Sequence, residues 1–185
     1  MLILHIRIQD IIMQKTTELT AIDIAMLLKL IANQDNPLMQ TQLSEQLYIA
    51  QSEVSRSLSR LEYAQLYSKH NKSVNRMNTF EFLFYGVKYA FPVQPGAIVR
   101  GIATAHSAPP LSDLIISQEN YVWAYAKGTL RGQHIEPFYK NLPKASLEDP
   151  KFYELLALVD ALRVGRIRET AIAKEKLEQS IIHGK

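Results

Sequence analysis

Residues 39–66, MQTQLSEQLYIAQSEVSRSLSRLEYAQL, constrain the fold more than any other stretch, because they read as two short helices joined by a tight turn. In the second helix, over 52–65, Val54, Leu58 and Leu61 share one side at about 100° per residue. Ser52, Arg56, Ser59 and Tyr63 fall on the opposite side, with Arg60 at its margin. An apolar stripe backed by small hydroxyls and arginines suits a helix that sits on a core and enters a DNA groove. The rest of the chain must hold that helix, pair it with a copy of itself, or regulate it.

The preceding segment 18–33, ELTAIDIAMLLKLIAN, is a helix with Thr16 or Thr17 placed to cap it and Asn33 with Asn36-Pro37 placed to end it. Leu19, Ile22, Ala25, Met26, Leu27, Leu30 and Ile31 spread around more than half its circumference, so it should be covered on most sides. Thr41 is expected to cap the short helix that runs to Leu47, with Leu43 and Leu47 pointing inward. Ser52 is expected to cap the next. The turn between them, Tyr48-Ile49-Ala50-Gln51, offers Ala50 as its small residue and no glycine.

Charge concentrates in the same place. The whole chain carries a formal +3, and residues 50–78 alone hold five cations against two anions, the same excess. Arg56 and Arg60 are candidates for base or phosphate contacts, since an arginine donates two hydrogen bonds to a guanine edge. Thr41, Gln51, Ser52, Ser55 and Ser59 are candidates for polar contacts, and Lys69, Lys72 and Arg76 follow where phosphates would lie.

The segment SEVSRSLSRLEYAQL resembles the recognition helix of winged helix-turn-helix regulators of the MarR type. The likeness runs over about residues 19–76 and implies a DNA-binding fold whose wing would be a very short hairpin around His70-Asn71-Lys72. Further on, EFLFYGVKYAFP resembles a block in uncharacterised bacterial helix-turn-helix proteins, which implies no activity of its own.

Beyond the charged segment, 78–91 reads as an aromatic-rich helix that stops at Pro92. Residues 92–148 have a different texture, with scattered Pro and Gly, an ordered piece at 97–104 and a short strand or buried turn at 121–126. Asp149-Pro150 is an N-cap followed by proline at the first helical position. The helix it starts is expected to reach about residue 182, bent or split at Gly165, with an apolar half against the core or a second copy and a charged half as a solvated tail. The expected divisions are thus an extension (1–18), a winged helix-turn-helix domain (19–91), an irregular region (92–148) and a long terminal helix (149–185). The fold class is mainly α.

The opening MLILHIRIQDIIM has no basic stretch ahead of its apolar run, and Arg7 and Asp10 interrupt it, so it fits neither a signal peptide nor a membrane span. Its alternation suits a strand, or it is a translated leader ahead of Met13. Without cysteine, disulfide frameworks and thiolate chemistry are excluded, and a cytoplasmic setting is expected.

An enzyme gains little support. The five histidines are scattered without ligand spacing, so no metal or other cofactor is expected. His106-Ser107 with Asp113 lacks a nucleophile elbow, and Gly128 to Gly132 lacks the ending of a phosphate loop, although Lys127 and Arg131 there are able to meet an anion. The expected function is a sequence-specific DNA-binding transcriptional regulator with residues 52–65 in the major groove. Its partners would be double-stranded DNA and a second copy of itself. The competing expectation is an antitoxin-like or phage-defence protein that binds a protein partner through its C-terminal half and uses DNA for autoregulation.

Overall fold

The computed structural model describes residues 17–184 and is mainly helical. The strand or leader expected at the N-terminus lies outside the described residues. Helix α1 (Ala21–Ala32) begins at the N-cap Thr20, whose backbone N–H and hydroxyl both donate to Asp23 Oδ2, at 2.7 and 2.9 Å. The cap therefore falls three or four residues later than expected. Residues 24–28 are fully buried, as the wide apolar stripe requires. Helices α2 (Gln40–Leu47) and α3 (Gln51–Tyr63) follow, then a hairpin of β1 (Tyr67–Ser68) and β2 (Ser73–Val74).

The aromatic segment is one continuous helical run with a wide turn inside it: α4 (Arg76–Glu81), a π-turn at Phe82–Gly86 and α5 (Val87–Ala90), ending before Pro92. In the expected irregular region the ordered piece and the short strand become β3 (Ile98–Ala103) and β4 (Tyr121–Ala124). A third strand, β5 (Leu130–His134), was not legible. Here β3 runs antiparallel to both others, while β4 and β5 pair in parallel, so each strand bonds to the other two.

This closure is tight enough to exclude side chains at its centre. A Cβ on Gly101 would lie 1.9 Å from the Trp123 carbonyl oxygen, and one on Gly128 would lie 2.2 Å from that of Gly101.

A short helix α6 (Leu142–Ser146) leads to α7 (Pro150–Val164), capped by Asp149 as expected, its carboxylate accepting from the Phe152 N–H at 3.0 Å. Gly165 divides the terminal segment, and α8 (Ile167–Ile181) folds back against α7. One expectation is corrected here. Ala173, Leu177 and Ile181 recur every four residues on a buried face of α8, so the charged half is packed rather than a solvated tail. The apolar half, α7, packs in the chain's own core, the first of the two alternatives expected for it.

Three buried charges tie these parts together. Lys29 of α1 is bonded to Asp149 at 2.6 Å, and Asn33 Nδ2 donates to the same carboxylate oxygen. Burial alone would raise the Asp149 pKa, but the bonds from Lys29, Phe152 N–H and Asn33 outweigh it and hold the group below the usual carboxylate value. Asp160 of α7 takes hydrogen bonds from Thr104, Trp123 Nε1 and Arg163, each at 2.7 Å, and so fastens the three-stranded unit to the helices. Nearby, the Tyr153 hydroxyl donates to the Ala103 carbonyl at 2.7 Å, and burial pushes its pKa up to about 12. The third pair, Asp23 with Arg60, positions α3.

Candidate nucleic-acid interface

The turn ahead of α3 closes without glycine because Tyr48 takes the left-handed conformation, φ 54° and ψ 44°, at the end of α2. Ile49 N–H donates to the Ser44 carbonyl at 3.1 Å, and the Ser44 hydroxyl donates to the Ile49 carbonyl at 2.7 Å. Residues from the far half of the chain grip the outside of this turn. Tyr139 hydroxyl donates to the Leu47 carbonyl at 2.9 Å, Asn141 Nδ2 donates to that of Tyr48 at 3.0 Å, and Lys144 Nζ sits 3.7 Å above the Tyr48 ring. The Tyr48 hydroxyl bonds Glu148, which is the main reason its pKa lies above the ordinary tyrosine value.

Both caps expected nearby are corrected. Met39, in extended conformation, precedes α2, with its N–H bonded to Gln42 Oε1 at 2.8 Å, and Ala50 precedes α3. Thr41 and Ser52 each lie one residue inside their helix start, which leaves both hydroxyls exposed rather than committed to a cap.

Val54, Leu58 and Leu61 are buried as their spacing predicts, and Gln51, Ser52, Ser55 and Arg56 are exposed. Arg56 is 57% exposed and leans on Glu53, with Nη2 at 2.8 Å. Ser59 is half-buried. Its hydroxyl donates to the Ser55 carbonyl at 3.0 Å and accepts from Lys69 Nζ at 2.7 Å.

Arg60, expected beside Arg56 at the DNA, is instead buried against α1. Its Nε and Nη2 donate to the two oxygens of Asp23, each at 2.7 Å, and Nη2 also reaches Glu53 Oε1 at 2.7 Å. The paired fork to Asp23 raises its pKa above the ordinary arginine value, so the charge is permanent. A position at the margin of the apolar stripe turns inward when a fully buried carboxylate waits for it, and Asp23 has no exposure. Glu53 is thus held by Arg60 from beneath while it holds Arg56 at the surface.

The hairpin splits the remaining cations. Lys69 stays on the α3 side, its Nζ also 3.4 Å from Glu62 and its N–H bonded to Glu62 Oε1. Lys72 lies at the hairpin tip with φ 50°, exposed, and makes no ion pair among the described residues. Arg76 faces backward: its guanidinium donates to Gln34 Oε1 at 3.0 Å and to the Ile182 carbonyl at 3.3 Å. Arg76 therefore braces the ends of α1 and α8 while remaining exposed. A cleft of about 210 Å³ separates the hairpin from α1, with Lys29, Asn33, Leu43, Tyr67, Lys72 and Arg76 in its walls.

The structure thus gathers Gln51, Ser52, Ser55, Arg56, Ser59 and Lys69 on or beside one exposed helix face, with Thr41 separately exposed on α2. Asp23, Glu53 and Glu62, which orient the cations, were not among the sequence candidates. Asp23 had a visible signal, since a lone acid between Ile22 and Ile24 in an apolar helix needs a buried partner. The residues that invited a hydrolase are engaged separately. His106 bonds the Glu119 carbonyl at 2.8 Å, while the Ser107 hydroxyl accepts from the Tyr121 N–H. His134 pairs with Glu136 at 2.9 Å.

No family model, curated protein or solved structure matches the chain. Among the described residues no helix is long and apolar enough to cross a membrane.

Proposed function

We propose that the chain is a sequence-specific DNA-binding transcriptional regulator, with α3 in the major groove as the second helix of a helix-turn-helix and β1–β2 as a short wing. The observation that carries this is the exposed face of Gln51, Ser52, Ser55 and Arg56 on a helix whose opposite side is locked to α1 by Arg60 and Asp23. Short side chains permit close approach to base edges, and Arg56 supplies a planar donor pair. Glu53 holds that guanidinium in place before any DNA arrives, which lowers the entropy lost on docking. Lys69 and Lys72 are assigned to phosphates; Arg60 and Arg76 leave the interface. Two copies reading a palindromic site belong to the same proposal.

The test is a gel shift against the upstream region of the chain's own gene. Arg56→Ala should weaken specific binding by about 1–3 kcal/mol and relax preference at one position, while leaving unfolding unchanged. Undiminished specific binding by that variant would remove α3 from the groove.

A further inference from the structure

The three-stranded unit carries a charge arrangement that no acid among the described residues balances. Arg100 on β3 and Arg131 on β5 are direct cross-strand partners. Both are exposed, and neither forms an ion pair or side-chain hydrogen bond among the described residues. Directly opposed residues of an antiparallel pair hold their Cβ atoms about 5 Å apart, and like charges there are destabilising.

Lys127, also exposed and unpaired, stands in the turn that joins β4 to β5. That turn is anchored beside Arg100, since Tyr125 N–H donates to the Arg100 carbonyl at 3.1 Å. The acids of the region are turned elsewhere: Glu119 toward Arg166, Glu136 to His134, and Asp113 to Ser112. Nothing in the core requires either arginine, so two repelling charges are retained at the surface at a cost to the fold.

We propose that Arg100, Arg131 and Lys127 are a second phosphate-contacting surface, which grips the duplex flanking the segment read by α3. This rests on the DNA-binding reading above and extends it from one helix to two contact regions. Charge complementarity selects the partner, because a row of phosphates neutralises closely spaced arginines that no acid among the described residues pairs with. Position agrees. Tyr139 and Asn141, just past β5, grip the turn ahead of α3. The chain leaving the unit therefore runs directly to the turn at the N-terminal end of α3.

Binding of the full chain is measured to two duplexes centred on the segment found by the gel shift, one about a single helical turn long and one about three turns. Arg100→Gln/Arg131→Gln should keep wild-type affinity for the short duplex and lose at least tenfold on the long one. The slope of log affinity against log salt should fall by about 2 on the long duplex. Arg131→Glu should show the same loss with a thermal midpoint equal to or above wild type, because the repelling pair becomes an attracting one. Arg56→Ala should weaken binding to both lengths. If the arginine variants match wild type in affinity and slope on both duplexes while Arg56→Ala is impaired, this surface is overturned and the α3 reading stands. If the wild-type chain binds neither duplex, both fall.

Discussion

The α1–α3 region and the three-stranded unit solve the same packing problem by opposite means. In the first, large side chains decide the geometry: Ile24, Leu27, Leu28, Leu43, Val54 and Leu61 interlock between helices and are essentially unexposed. In the second, missing side chains decide it. The strands close on one another because Gly101 and Gly128 let backbone touch backbone, and a single large residue, Trp123, fills the side facing α7. Helices leave room that side chains must fill, whereas three mutually paired strands leave almost none. The first region can therefore present a varied outer face, while the second is rigid and alters little without breaking.

That contrast can be broken most severely at Gly101. Gly101→Ala puts a methyl inside the Trp123 carbonyl, and the loss should be about 4 kcal/mol or more, seen as loss of a cooperative unfolding transition. A stability within 1 kcal/mol of wild type would mean the strands are not closed as described. Next comes Asp23→Ala in the helical region, which leaves the buried Arg60 guanidinium with Glu53 as its one remaining ion pair among the described residues. Removing one partner of a buried pair should cost about 3 kcal/mol by urea unfolding and should lower DNA affinity as well, because Glu53 would be drawn away from Arg56. Unchanged DNA binding in a folded Asp23→Ala protein would sever the proposed link from core to groove.

The smallest effect is at the junction. Asp149 has its pKa depressed below the usual value near 3.8, so its stabilising contribution is present above that value and lost as pH falls through the lower, folded one. Asp149→Asn should be less stable than wild type at neutral pH, and urea midpoints of the two proteins should converge below about pH 4. Parallel curves down to the acid limit would show that Lys29 does not depend on that charge.

The sequence made the helical region legible because its signals are residues that are present. The stripe of Val54, Leu58 and Leu61, the Asp149-Pro150 start and the stop at Pro92 all appear where expected. The three-stranded unit was half legible. An ordered piece at 97–104 and a short strand or buried turn at 121–126 were placed, but β5 was hidden because LRGQH has no alternation and pairs through its backbone around Gly132. The expected exposure failed at Arg60, whose place at the margin of the apolar stripe did not reveal the buried carboxylate of Asp23. Lone charges inside apolar runs, Asp23, Lys29 and Asp160, were the better guide. Each of them forms half of a buried tie between elements distant in sequence.

Lys29 meets Asp149 across 120 residues, and that separation bears on how the protein comes into being. At ordinary translation rates the interval is on the order of ten seconds. During it α1 stands outside the ribosome with an ammonium lacking its counterion and with the flank that α7 will cover still wet. Since α3 is hung from α1, its exposed face is not fixed until α7 has emerged. A nascent chain arrested before Pro150 should therefore be a client for chaperones, and it should lack the DNA binding proposed for the full chain.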